Sequence, residues 1–278
     1  QVKYTLGIQT ADSKNYIVLD TDGNTLSSTA SGGTLKTEGT ILQKQLQLVL
    51  QDGTRLDKTY DGTSSLTQDA LKNLQFSGLE NGEKLTAAIG TNGLQGDYVT
   101  GTDESDKGAA QANVNWQDDA ADDWGISISG VQNALANATS ENGAISSNYT
   151  IGDTVYFQQA QHKGKILPLS LTMANLKENW SQAKKEYDGT SAVSNPEKYL
   201  SLSLQKLESN GIAVGADGVT VDYNLKNDGA NFAQKDAGTG LTVSNDVTGF
   251  DGVKNADGTD NHNFSLAGIS NTEATYKN

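Results

Sequence analysis

The chain contains no cysteine and only two prolines among its 278 residues. The absence of cysteine excludes disulfides, thiolate nucleophiles and cysteine-ligated zinc, and so few prolines exclude a stiff proline-rich linker. Apolar residues make up 35% of the chain, and no apolar run approaches the roughly 18 residues of a membrane-spanning helix. The composition predicts several small cores and no direct membrane insertion.

Cations are also scarce. Twenty Lys and Arg residues face 34 Asp and Glu residues, which gives a net charge of −14 and a pI near 4.4. Without a basic stripe the chain is not expected to bind nucleic acid or an anionic membrane surface. The only histidines, His162 and His262, lie far apart in sequence, which argues against a histidine-based triad or metal centre.

Alternation of apolar and polar residues is the main secondary-structure signal. Residues 219–225 alternate, as a half-buried strand does, and Gly215 to Gly218 before them predict a hairpin turn. Helix is predicted only in short pieces, over residues 67–74 and from Asn195 through the leucines at 200, 204 and 207, where a strand remains an alternative. The expected fold is mainly β with one or two short helices.

A hexapeptide occurs twice. Residues 58–63 read Lys-Thr-Tyr-Asp-Gly-Thr, and residues 185–190 read Lys-Glu-Tyr-Asp-Gly-Thr, 127 residues later. A second pattern, Gly-x-Ile-Leu, starts at Gly39 and again at Gly164, 125 residues later. Two signals in the same order at nearly the same spacing indicate a tandem duplication.

The duplication predicts three parts. Residues 1–43 would end a preceding module, residues 44–168 would form a complete module with an acidic insertion at residues 93–123, and residues 169–278 would form a second module lacking its last strand. The modules are expected to be small sandwich-like or β-grasp-like units in an elongated array. Because Gln1 begins in what reads as mid-repeat, the chain is predicted to be a monomeric piece of a longer polypeptide.

The repeated hexapeptide suits a structural corner. Asp accepts backbone N–H bonds one or two residues on, Gly relieves backbone strain, and Tyr anchors the turn against a small core. A ligand-binding role for Tyr60 or Tyr187 is the less favoured alternative. The predicted structural motif comprises Tyr60, Asp61, Gly62, Thr63, Tyr187, Asp188, Gly189 and Thr190.

The pattern resembles the tandem YDG/MBG-type repeats of large bacterial surface and secreted adhesins, including filamentous-haemagglutinin-like proteins. The residues that carry the resemblance are Lys58, Tyr60 to Thr63, Asn148, Tyr149, Lys163, Gly164, Ile166, Lys185 and Tyr187 to Thr190. The resemblance implies an extracellular β module that acts as a stalk or contributes to attachment. The family pattern carries no catalytic residues.

Calcium is the one cofactor for which the sequence offers candidates. Asp20, Asp22 and Asn24 superficially resemble a calcium loop, but the EF-hand order fails at its sixth and twelfth positions. Asp257 and Asp260 offer further oxygen ligands without a recognisable order. No cofactor is expected, with a weak calcium site as the alternative.

The leading functional hypothesis is a non-enzymatic spacer segment of a bacterial cell-surface or secreted adhesin. The alternative is a module of the same adhesin that binds a host or matrix glycan or protein, with exposed aromatics as the contact surface. An enzyme is disfavoured, because none of the many carboxylates is singled out as an acid–base pair.

Overall fold

The computed structural model describes residues 18–19, 25–26, 40–101, 105–116, 123–205 and 207–278. The chain divides into two compact units, residues 1–43 and residues 44–278. In the first unit the described residues form two antiparallel strands, β1 (Val18–Leu19) and β2 (Thr25–Leu26).

Short strands dominate the first half of the second unit. Its described elements are β3 (Lys44–Gln45), β4 (Gln47–Leu50), β5 (Lys58–Thr59), α1 (Gln68–Leu71), β6 (Leu74–Ser77), β7 (Lys84–Thr86), β8 (Gln95–Val99), β9 (Gly125–Ser129), α2 (Val131–Ala136), β10 (Thr139–Glu141), β11 (Tyr149–Thr150), β12 (Val155–Phe157) and β13 (Ile166–Leu167). The order β12-β9-β8 forms an antiparallel sheet, β4 pairs with β6, and β7 pairs with β10. Two pairs are parallel, β3 with β11 and β5 with β13.

The second half contains longer strands. Its described elements are β14 (Leu169–Ser170), β15 (Leu176–Trp180), β16 (Leu200–Leu204), β17 (Leu207–Ser209), β18 (Ile212–Val214), β19 (Thr220–Phe232), β20 (Val243–Lys254), β21 (Phe264–Ser265) and β22 (Ala274–Lys277). The order β15-β16-β19-β20-β22 forms an antiparallel sheet. Short 3-10 helices lie at Ser146–Asn148, Gln159–Gln161, Met173–Asn175 and Pro196–Lys198. The prediction of a mainly β chain with short helices is confirmed.

Two large hydrophobic cores follow each other along the chain. The first core contains buried residues from Leu46 to Ile166, and the second core contains buried residues from Leu171 to Tyr276. Tyr60 packs against both cores. The parallel pair β14–β21 repeats the parallel pair β3–β11. Because β13 pairs with β5 and β14 pairs with β21, the chain passes from the first core to the second through β13 and β14.

The helix predicted after Asn195 is wrong beyond its first turn, and the strand alternative is confirmed from Leu200 to Leu204. Pro196–Lys198 is a 3-10 turn, and Leu200 begins a strand in which every second residue is buried. A strand buries the alternating leucines against the second core, and this packing overrides the capping signal at Asn195. The earlier helix prediction is confirmed over Gln68–Leu71, where the Thr67 hydroxyl accepts a hydrogen bond from the Ala70 amide.

Two further expectations are corrected. The hairpin turn predicted at residues 215–218 lies instead at Asn210 and Gly211, between β17 and β18. The φ angles of these two residues, 51° and 75°, suit a two-residue turn. Residues 93–123, predicted to be an acidic insertion, supply β8 to the first core. Leu94 and Tyr98 in that stretch are fully buried in the first core.

Candidate functional site: the two Tyr-Asp-Gly turns

Residues 58–63, called the first turn, form a hydrogen-bonded corner. Asp61 Oδ1 accepts hydrogen bonds from the Thr63 amide at 2.9 Å and from the Thr63 hydroxyl at 2.7 Å. Gly62 lies between them with φ of 78°, a conformation that side-chain-bearing residues rarely adopt. The turn therefore depends on its acid and its glycine for the reasons that the sequence indicates.

The lysine of the motif is the centre of the turn, a role that the sequence reasoning missed. Lys58 Nζ donates to Asp61 Oδ1 at 2.7 Å, to the Thr63 carbonyl at 2.7 Å and to the Ser65 carbonyl at 3.0 Å. The ammonium also lies 5.6 Å from the centre of the Tyr98 ring, within range of a cation–π attraction. The signal was present, because lysine opens both copies of the hexapeptide.

Residues 185–190, called the second turn, have the same bonds. Lys185 Nζ donates to Asp188 Oδ1 at 2.9 Å, to the Thr190 carbonyl at 2.8 Å and to the Ala192 carbonyl at 2.9 Å. Asp188 accepts from the Thr190 amide at 2.9 Å, and Gly189 has φ of 80°. The duplicated sequence thus forms a duplicated turn.

The two turns differ sharply in burial. Lys58 and Asp61 are only 4% and 2% exposed, whereas the Asp188 side chain is 55% exposed and Tyr187 is 65% exposed. Because the internal bonds are alike, the difference must come from what covers each turn.

Residues of the second half of the chain cover the first turn. Asn210 Nδ2, in the turn between β17 and β18, donates to the Thr59 carbonyl at 3.0 Å and to Asp61 Oδ2 at 3.1 Å. The Tyr60 ring meets the Phe264 ring edge-on, with centroids 5.6 Å apart and planes at 77°. The first turn is therefore a junction at which both cores meet.

The bonds within the turns set the acidity of their carboxyl groups. Burial alone would raise the pKa of Asp61, but hydrogen bonds from Lys58, Thr63 and Asn210 outweigh it and hold that pKa below its usual value. At the second turn the Lys185 hydrogen bond, helped by the Thr190 amide and hydroxyl, lowers the pKa of Asp188 to about 2. Both carboxyl groups are therefore ionised at neutral pH.

A short strand also covers the first turn from the other side. The Leu56, Lys58 and Tyr60 amides donate to every second carbonyl of residues 163–167, at 2.7, 3.0 and 2.8 Å. A side chain in place of Gly164 would put its Cβ only 2.5 Å from the Leu56 carbonyl oxygen. The glycine of the Gly-x-Ile-Leu pattern is needed for this close approach of two backbones.

One buried carboxylate stands apart from the turns. Asp123 is 6% exposed, forms an ion pair with Arg55, and lies 2.8 Å from His162 Nδ1. Asp123 is the last residue of the predicted acidic insertion. These contacts tie the start of β9 to the segment before β5.

The calcium candidates are only partly described. Asp20, Asp22 and Asn24 lie outside the described residues. Asp257 Oδ1 accepts from the Thr259 amide at 3.0 Å, and Asp260 Oδ1 pairs with Lys254 Nζ at 2.5 Å. No group of three or more His, Cys, Asp or Glu residues able to hold a metal occurs within the described ranges. The calcium alternative stays a prediction.

An exposed aromatic stack lies near the junction. The Trp116 and His262 rings are stacked, with centroids 3.9 Å apart and planes at 25°, and Trp116 is 54% exposed. They line a cleft of about 350 Å³ together with Pro168 and Phe264. This stack is the best candidate surface for contact with a ring-shaped ligand among the described residues.

Comparison of the chain with family models, with curated proteins and with solved structures finds no match. The resemblance to YDG-type repeats therefore stays a prediction. No helix in the described part of the chain is both long and apolar enough to span a membrane.

Proposed function

We propose that the chain is a non-enzymatic spacer segment of a bacterial cell-surface or secreted adhesin, built from repeated β modules and contributing to attachment. The observation that carries this proposal is the buried first turn. Asn210 and Phe264 of the second repeat contact the Lys58–Asp61 turn of the first. A spacer needs fixed junctions between modules, and a buried, fully hydrogen-bonded ion pair gives such a junction a defined geometry.

The length of tandem chains tests the spacer proposal. Chains with one, two and three tandem copies of residues 44–278 are compared by small-angle X-ray scattering, which measures their maximum dimension. A spacer is expected to lengthen by a constant increment per copy. If the radius of gyration instead follows the relation for one compact globule, about 2.2 Å times the residue number to the power 0.38, the proposal fails.

A glycan-binding module is the second candidate, favoured by the exposed stack of Trp116 on His262. Sugar rings pack on exposed aromatic faces in the same manner. On a glycan array the chain is expected to give saturable binding that Trp116→Ala abolishes and that Ile145→Ala, at an exposed position outside the stack, leaves unchanged. Silence across a broad array, or equal binding by both variants, would remove this candidate.

A further inference from the structure

A cleft of about 620 Å³ opens beside the second turn. One wall is the backbone of residues 182–187, and the opposite wall is made by residues 232–243. Its apolar lining includes Ala183, Phe232, Leu241 and Val243. The cleft is therefore a slot between residues 182–187 and the loop that joins β19 to β20.

The walls of the cleft repeat the walls around β13. The Phe232 amide donates to the carbonyl of the serine that follows the second turn at 2.8 Å, and the Tyr98 amide donates to the serine that follows the first turn at 2.9 Å. Val243 is the pairing partner of Phe232, as Ile126 is of Tyr98. At the first turn this slot contains Ile166, which is 1% exposed. At the second turn the same slot is open.

The segment of residues 182–187 that lines the open slot carries backbone amides that are unpaired within the described part of the chain. The Ala183, Lys185 and Tyr187 amides stand where three amides at the first turn bond to residues 163–167. Among the residues that the structure describes, these three amides donate to no backbone carbonyl. An unpaired edge beside an apolar slot can accept an added strand, with backbone bonds for affinity and a side-chain pocket for specificity.

We propose that this cleft binds residues 40–42 of a second copy of the chain as a parallel strand. These residues end the first Gly-x-Ile-Leu pattern, the repeat of the one that contains β13. Ile41 is 99% exposed and Leu42 is 83% exposed. Ile41 and Leu42 of one copy would fill the open apolar slot beside the second turn of another copy. Because the two contact surfaces are different, such contacts join copies head to tail.

The position of the segment in the chain fits this contact. Ile166 and Leu167 lie in the first slot, and two residues later β14 begins and pairs with β21. Ile41 and Leu42 stand at the same distance before β3, which pairs with β11 in the same parallel register. β3 is thus already paired with β11, whereas Ile41 and Leu42 just before it are exposed.

Charge selects residues 40–42 over a copy of β13. At the first turn the Lys165 backbone amide donates to Asp57 Oδ1 at 2.9 Å, which places residue 165 beside residue 57, and Lys184 occupies the place of Asp57 at the second turn. The cleft is lined by three lysines, at 184, 185 and 235, and by one side-chain carboxylate, Asp236. A strand with neutral Thr40 in place of Lys165 avoids placing like charges together.

The incoming copy also presents a second contact. Asn81 is exposed, has φ of 50°, and precedes Gly82, as Asn210 with φ of 51° precedes Gly211. Asn210 bonds to Asp61 at the first turn. In the proposed contact, Asn81 of the second copy would donate to Asp188. With both contacts made, the exposed second turn would become buried as the first one is.

This contact would join spacer segments to one another, so its role rests on the proposed spacer function, but the contact itself is tested separately. Binding in trans is independent of whether covalent tandem copies lengthen the particle, so either result can fail without the other. The proposal departs from the expectation of a monomeric chain, since it predicts weak, concentration-dependent association.

Peptide binding tests the slot. A fluorescent peptide of residues 38–45 is titrated with the whole chain and followed by anisotropy. We expect saturable binding that is at least about tenfold weaker for the same peptide with Ile41→Asp, since a buried aliphatic anchor contributes at least that factor. Ala183→Arg in the chain should weaken binding similarly, with its unfolding temperature measured to show that it is folded.

The comparison peptide is residues 163–170, which we expect to bind more weakly because of Lys165. Tighter binding of that peptide, absence of saturation, or equal binding by the Ile41→Asp peptide would overturn the proposal. Sedimentation velocity of the whole chain gives the second measurement. Association should disappear with Ile41→Asp and persist with Ile145→Asp, and equal association of these two variants would also overturn it.

Discussion

Replacing Asp61 with alanine is expected to lower the free energy of unfolding by about 3–5 kcal/mol. The substitution leaves the Lys58 ammonium, whose side chain is 0% exposed, without its counter-charge. Water cannot replace the lost partner, because Asn210 and Phe264 cover the turn. The measurement is urea unfolding followed by circular dichroism at pH 7.

The chain supplies its own control at the second turn. Asp188→Ala removes the same hydrogen bonds from the same hexapeptide, but the Lys185 side chain is 20% exposed and the Asp188 side chain is 55% exposed. Water can solvate the remaining charge there, so the loss of stability should be clearly smaller. Equal losses for the two variants would contradict the argument from burial.

The same carboxyl group gives a pH dependence of defined sign. The pKa of Asp61 is lower in the folded chain than the ordinary value of 3.8, so between the two values the unfolded chain binds more protons. Stability from this group is therefore complete above about pH 4 and falls as the pH drops through the folded value. Asp61→Asn should make the free energy of unfolding, measured at a series of pH values from pH 7 to pH 2, fall less steeply in that range.

Ile166→Ala is expected to cost roughly 2–5 kcal/mol of unfolding free energy, as for other large-to-small changes in a core. Ile166 is 1% exposed and pairs with Lys58 of the first turn. Leu167→Ala, at a neighbour that is 39% exposed, should cost much less. Denaturant unfolding of the two variants measures the difference.

The repeated sequence offers a second comparison. Ile41 holds the same place in its Gly-x-Ile-Leu pattern as Ile166, but it is 99% exposed. Ile41→Ala should therefore leave the unfolding free energy of the dilute chain unchanged. A loss as large as that of Ile166→Ala would mean that Ile41 is buried in the free protein.

Local chemistry made part of the site predictable. The acid and the glycine of the turn have roles that follow from their side chains alone, and the repeated hexapeptide was visible in the sequence. The anchoring role predicted for the tyrosine is met by Tyr60 but not by Tyr187, which is 65% exposed. The helix at Gln68–Leu71 followed from the capping Thr67. In each case residues close in sequence determine the structure.

What the sequence could not reveal depends on contacts between distant residues. Nothing near Asn210 indicates that its side chain reaches Asp61, because the contact spans 149 residues. The different burial of two nearly identical turns is likewise set by their neighbours. The leucines after Asn195 fit a helix and a strand equally well, and only packing in the sheet decides between them.

The link at residues 166–170 has a mechanical consequence. β13 pairs in parallel with β5, and β14, separated from β13 by one residue, pairs in parallel with β21. Tension applied along the polypeptide pulls the two strands of each parallel pair in opposite directions along their length. Such loading shears several hydrogen bonds at once instead of peeling them apart one by one, so this short stretch resists stretching more than its size suggests.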